Sequence, residues 1–96
     1  MPIDETDLDE ILRALSHAER RLFFRACLTQ ERAAGELAEL SSLALASVSE
    51  HLKVLRKCGL LSLDKRGRFW LYRADRAVLN AAIAALANLK QGPDGS

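Results

Sequence analysis

Across "SVSEHLKVLRKCGLL", Ser47 to Leu61, one histidine, two lysines, an arginine and a glutamate are spaced as on a single helix that Cys58 and Gly59 bring to an end. Four residues beyond Leu61 comes "KRGR", with Lys65, Arg66 and Arg68 gathered around a glycine. Side chains of these types hold anions rather than break bonds. Lys53, Lys57, Lys65, Arg66 and Arg68 can neutralise phosphates, which fixes position without reading sequence. Ser47, Glu50 and His51 can address base edges: a hydroxyl donates or accepts, a carboxylate accepts from the cytosine amine, and an imidazole donates to a purine nitrogen. The groups of covalent catalysis are missing, with no glycine-rich phosphate loop, no carboxylate pair in a pocket context, and no nucleophile with an evident base. Ser47, Ser49, Glu50 and His51 are neighbours in sequence but diverge on a helix, so no enzyme activity is expected.

The charge distribution supports this reading. Net charge is only +1, yet residues 51–73 hold seven bases against Asp64 alone, a net of +6, and the remainder of the chain is −5. Five of the acids fall at Asp4, Glu5, Asp7, Asp9 and Glu10. A cationic segment coinciding with one contiguous piece of structure is the footprint of a polyanion partner. With 96 residues, 49% of them hydrophobic, the chain is long enough for one domain and too short for two. So small a domain gains from a partner, and a homodimer is expected. No apolar run approaches the length of a membrane span, and "MPIDETDLDE" is acidic where a signal peptide is basic, so a cytoplasmic protein with reduced cysteines is expected.

The elements that must position these residues follow from periodicity. Leu8, Ile11, Leu12 and Leu15 predict a first helix over 6–15. Ser16 and Glu19 read as a capping box opening a second helix over 17–29, with Phe23, Phe24, Cys27 and Leu28 along its buried stripe. "ELAEL" is a short third helix, "SS" a turn, and a fourth helix runs from Ala44 to Cys58. On it Leu45, Val48, Leu52 and Leu55 fall within an arc of about 80°, facing the core. Arg56 lies toward the same side. Ala46, Ser47, Glu50, His51, Val54 and Lys57 take the other half, with Lys53 at its edge. Gly59 suits a left-handed cap, and "LLSLD" and "FWLYR" read as two β-strands joined by the basic turn. Asp75 caps a last helix over 76–89, in which Val78, Leu79, Ile83, Leu86 and Leu89 bury one side and alanines allow close approach on another. Residues 1–91 form the domain, and 92–96 ("GPDGS") read as a disordered tail.

A short helix, a tight turn, a half-basic helix and a basic hairpin follow the order of a winged helix-turn-helix. The pieces "LRALSHAERR", "ELAEL", "ASVSEHLKVLRKCGLL" and "KRGRFWLYR" resemble the ArsR/SmtB family of small dimeric bacterial repressors, and cover residues 12–75 without gaps. The resemblance implies a mainly α fold of about five helices with a two-stranded wing. It implies a symmetric dimer through the first and last helices, with Leu8, Leu12, Leu79, Ile83 and Leu86 at the interface. It also implies binding of double-stranded DNA at a pseudo-palindromic operator. Relatives begin the recognition helix with Ser-Gln-Ser or similar, whereas Ala44-Leu45-Ala46 here supplies neither an N-cap oxygen nor a polar reader.

Family members that respond to metals use a cysteine pair ahead of "ELAEL" or a His and carboxylate set on the last helix. The first falls here at Ala33 and Gly35, and no histidine follows His51, so neither site can hold a soft metal and no cofactor is expected. The remaining candidates for a signal are Cys27 and Cys58, as a thiol switch acting on the recognition helix, with simple packing as the alternative. The further alternative is a winged-helix module that binds protein instead of DNA.

Overall fold

The computed structural model describes residues 3–91, and the tail expected at 92–96 lies outside them. The order is α1 (Glu5–Ala14), α2 (Ala18–Thr29), α3 (Ala34–Ser41), α4 (Leu45–Lys57), β1 (Leu61–Arg66), β2 (Phe69–Ala74) and α5 (Arg76–Ala87), closed by a 3-10 turn at Asn88–Gln91. All five helices and both strands fall where periodicity puts them, with ends shifted by one or two residues.

Local chemistry sets several of the boundaries. Asp4 caps α1 by accepting from the Asp7 N–H at 2.8 Å, and Asp75 caps α5 by accepting from Ala77 at 2.9 Å. The capping box expected at Ser16 does not form. The Ser16 hydroxyl donates instead to the Arg13 carbonyl at 2.6 Å, bonding back into the last turn of α1. His17 thereby becomes the N-cap of α2 and makes no side-chain cap bond. Ser42 closes α3 in the left-handed region at φ 61°, held by its N–H on the Ala38 carbonyl at 3.0 Å, and Leu43 then donates to the Ser41 hydroxyl at 3.2 Å. A left-handed serine costs about 1–2 kcal/mol. It is tolerated because it turns the chain within three residues from α3 into α4.

The core is one cluster in which α1 contributes Leu8, Ile11 and Ala14, α2 contributes Phe23, Phe24 and Cys27, and α3 contributes Leu37. Val48, Leu52 and Leu55 of α4 enter it with no exposed surface, and Leu60 and Leu61 seat the base of the hairpin. The strands pair antiparallel from Leu61 opposite Ala74 to Arg66 opposite Phe69. A further backbone bridge joins Tyr72 to Arg32 in the α2–α3 connection, with N–H to carbonyl distances of 2.8 and 3.0 Å. Sequence periodicity did not show this bridge, because a single extended residue has no pattern. Gly59 (φ 87°) ends the α4 segment and Gly67 (φ 60°) makes the hairpin turn, both in conformations that glycine adopts freely.

Three packing expectations need correction. Leu45 is 55% exposed rather than core, because it is the first residue of α4 and projects past the elements that cover Val48. Leu8, expected at a dimer interface, is buried within the protomer's own core. On α5 the alanines, not the larger aliphatics, face the body: Ala81 and Ala82 are buried and Val78 and Leu79 half-buried, whereas Ile83, Leu86 and Leu89 are exposed. Ala81 and Ala82 bring the middle of that helix close, and Ile83, Leu86 and Leu89 are left outward. The molecule measures 51 × 25 × 21 Å. Its radius of gyration of 14.8 Å exceeds the ~13 Å of a compact domain of about 100 residues. Among the described residues no helix is long and apolar enough to cross a membrane.

Candidate nucleic-acid interface

With Val48, Leu52 and Leu55 inward, α4 presents Ala46, Ser47, Ser49, Glu50, Lys53, Arg56 and Lys57 to solvent. The hairpin stands beside it. Between them lies a cleft of about 500 Å³, walled by Ser49, Glu50, Lys53 and Arg56 of α4, by Ala33 and Ala34 below, and by Arg68, Trp70 and Tyr72 of the hairpin. Helix and hairpin cations therefore share one concavity. Three of them, Lys53, Arg56 and Arg68, face a single acid there, Glu50. Trp70 is 51% exposed and carries the Lys65 ammonium 4.3 Å from its ring centroid, which orders that lysine along the hairpin.

The structure redistributes the roles of several residues. Arg56 lines the cleft and is exposed, although the helical wheel puts it beside the apolar arc. That arc was drawn from Leu45, and once Leu45 is outside the core its edge belongs to solvent. His51 is not on the open face. It is half-buried, with its ring 6.2 Å from that of Phe23 and 5.9 Å from that of His17, and its Nδ1 accepts from Arg20 Nε at 3.1 Å. Nδ1 is committed to Arg20 and the ring is half-buried beside Phe23, which leaves only Nε2 as a donor, and the wheel alone cannot show that α2 covers this side of α4.

Arg66 is tied down as well. Its Nε donates to Asp64 at 2.8 Å, and its Nη2 donates to both oxygens of Glu31 at 3.0 Å. Arg73 donates to the same Glu31 carboxylate. The bond from Arg73, with the added field of Arg66, holds the Glu31 carboxyl below the usual carboxylate range. Asp64 and Glu31 likewise hold the Arg66 guanidinium more firmly protonated. One acid thus engages two of the seven bases of the cationic segment and moors the hairpin to the α2–α3 connection. Sequence distance hides the pair, since 35 residues separate Arg66 from Glu31.

The two cysteines lie apart. Cys27 lines a hollow with Glu31, Ser62 and Arg73, whereas Cys58 lines one with Glu10, His17 and Lys57. Burial pushes the Cys27 thiol up to about 11, and burial also raises that of Cys58, whose Sγ donates to the Leu55 carbonyl at 3.4 Å. Reactive thiols need a lowered pKa, so both cysteines have the environment of packing residues. Among the described residues no group of three His, Cys, Asp or Glu side chains is placed to hold a metal ion, and Ala33 and Gly35 carry no donor.

A helix, a tight left-handed turn, a second helix offering its polar face and a basic two-stranded hairpin define a winged helix-turn-helix. Comparison with known proteins agrees. The family model "Bacterial regulatory protein, arsR family" matches residues 25–62. The HTH-type transcriptional regulator YgaV of Escherichia coli (strain K12) is 32% identical over 82 residues, spanning 82% of this chain and 81% of that protein. The transcriptional repressor SdpR of Bacillus subtilis (strain 168) is 26% identical over 81 residues, spanning 84% and 90%. An ArsR-like transcriptional regulator from Rhodococcus sp. RHA1 superposes with a TM-score of 0.82 at 28% identity, covering 93% of this chain and 84% of that one. The chain belongs to the ArsR family of transcriptional regulators.

Two measurements test the thiol environments. Alkylation at pH 8 should leave Cys27 unmodified in the folded protein and modify it once denaturant unfolds the chain; rapid native labelling of Cys27 contradicts its placement. Because the folded chain holds this thiol protonated to about 11, against 9.0 for an ordinary one, the stability it contributes is complete below pH 9. Denaturant unfolding followed against pH should show it lost as the pH rises from about 9 to 11, by roughly 2–3 kcal/mol.

Proposed function

We propose that the protein is a DNA-binding repressor that acts as a homodimer on a pseudo-palindromic duplex operator. The observation that carries this reading is the shared cleft, in which α4 and the hairpin turn their cations toward the same volume. Two surfaces facing apart would suit separate partners, whereas one continuous cationic concavity suits a duplex whose backbone runs past both. Lys53 and Arg56 on the helix, with Lys65 and Arg68 on the wing, are the phosphate contacts, whereas Lys57, expected among them, lines the separate hollow between α1, α2 and α4. Ser47, Ser49 and Glu50 are the readers of base edges. Arg66 and His51 serve the protein's own architecture instead. Repression is supported by the resemblance to SdpR, whose name describes a repressor.

The dimer is supported by what the single chain leaves uncovered. Ile83 (53% exposed), Leu86 and Leu89 project from the α5 end of the molecule, and Leu12 projects from α1, which packs against α5. Half-buried Leu79 is one turn from Ile83 and continues the stripe. Apolar surface of this extent on a short domain marks an interface. A two-fold axis through it duplicates the cleft, and the paired half-sites require an operator of matching symmetry.

Four outcomes are expected. If about four cations per protomer meet phosphate, the dimer neutralises about eight, and the logarithm of affinity falls against the logarithm of salt concentration with a slope near −7. Arg68→Ala should weaken binding on all sequences alike and flatten that slope by about 2 per dimer. Salt-independent association, or unchanged binding by Arg68→Ala, would point to a protein partner in place of DNA. Glu31→Gln should release Arg66 and Arg73 from their shared acceptor and tighten binding to non-specific duplex, measured by fluorescence anisotropy at fixed salt. An unaltered affinity would show that the two arginines never compete for phosphate. Ile83→Glu should give a monomer in sedimentation equilibrium; a dimer that survives it places the interface elsewhere.

A further inference from the structure

A second hollow, of about 370 Å³, opens between the end of α1, the start of α2 and the last two turns of α4, away from the cleft beside the wing. Its walls are Glu10 and Arg13 of α1, His17 and Arg20 of α2, and Val54, Lys57 and Cys58 of α4. The volume is that of sites for small molecules. Arg13, Arg20 and Lys57 bring three positive charges against Glu10 alone, and His17 adds a group that can donate. Among the described residues the side chains of Arg13, Lys57 and Glu10 take part in no ion pair or hydrogen bond, so these cations are not neutralised from within. The three cations therefore surround a space with Glu10 as its one acid, a net positive lining. Val54 and the protonated Cys58 thiol supply an apolar wall beside it.

We propose that this hollow binds a small organic carboxylate with an apolar body, and that the bound carboxylate weakens DNA binding. The charged end would sit among Arg13, Arg20 and Lys57, and the apolar end would lie against Val54 and Cys58. Guanidinium and ammonium donors favour a carboxylate over neutral or cationic molecules of equal size. Metal binding is the poorer fit, because His17, Cys58 and Glu10 are not placed as a ligand set. The coupling runs through Arg20. Its Nε donates to His51 of α4 at 3.1 Å and its Nη1 to the Arg13 carbonyl at 3.2 Å, so one side chain ties the recognition helix to α1. A carboxylate that draws Arg20 into the hollow takes the donor from His51 and loosens that tie. By linkage, DNA must then weaken carboxylate binding by the same factor.

The binding part of this proposal is independent of the DNA reading, whereas the coupling rests on it. The test titrates the full, DNA-free chain with hexanoate, using hexylamine and hexanol as controls of the same length, and follows backbone amide NMR shifts. Saturable shifts confined to residues 10–20 and 51–58 are expected with hexanoate and with neither control. Arg13→Glu and Arg20→Gln, both on the rim rather than in the core, should each weaken hexanoate binding about tenfold or more while leaving the spectrum folded. No saturable shift, equal binding of hexanol, or undiminished binding by both variants would overturn the site. In the second arm hexanoate should raise the Kd for duplex DNA about fivefold or more, and Arg13→Glu should abolish that effect. Hexanoate that binds without changing DNA affinity overturns the coupling. A chain that takes hexanoate but never binds DNA upholds the site and refutes the function proposed above.

Discussion

The burial of three side chains, Val48, Leu52 and Leu55, is the constraint from which the working surface follows. Each is wholly enclosed, and together they fix the rotation of α4 about its own axis. A helix turned by one residue would move each side chain by about 100° and expose part of this stripe. Apolar burial of about 1.5–3 kcal/mol per side chain opposes that turn. The polar face is thus presented by exclusion: Lys53, Glu50 and Ser47 point outward because their neighbours cannot. The left-handed Ser42 then sets the angle at which α4 leaves α3, and the two restraints together define the pose of the recognition helix.

Charge is organised by a second layer of contacts. The segment that is +6 in sequence is not a uniformly cationic surface in space, because Glu31 and Asp64 engage Arg66 and Glu31 also engages Arg73. Lys53, Arg56 and Arg68 gather around the cleft, on the side where Trp70 and Tyr72 stand, while Arg66 and Arg73 are engaged in securing the hairpin. A bare count of bases therefore overstates the charge available to a partner while understating its focus. The exposed ion pairs are individually weak in water. Their shared acceptor nonetheless ties together three places in the chain, the α2–α3 connection, the end of β1 and the C-terminal end of β2.

Most of the fold was legible because it is written in local periodicity. The apolar stripes of α1, α2 and α4, the glycines at 59 and 67 and the Asp75 cap each speak through a few adjacent residues. What was not legible depends on elements meeting from afar. His51 reads as an outward residue until α2 is laid against it. Arg56 reads as inward while Leu45 is counted as core. Ser16 has a good partner in Glu19 by spacing and a better one in the Arg13 carbonyl by geometry. On α5, composition foretold an oily helix, but which side lay inward depended on how closely α1 and the body could approach, and that favoured Ala81 and Ala82. Spacing alone thus places Ser47, Glu50, Lys53 and Arg68 on an exposed face, but not the contacts that engage His51 and Arg66.

The bridge between Arg32 and Tyr72 separates two properties of the hairpin that are usually linked. Because the strands are anchored at their base by Leu61 and by this backbone pairing, the hairpin's direction is fixed five or more residues from its tip. The turn at Gly67 carries no such duty. Lengthening or shortening the tip would change how far the hairpin projects without moving the residues that anchor it, so reach and aim are set by different parts of the same element.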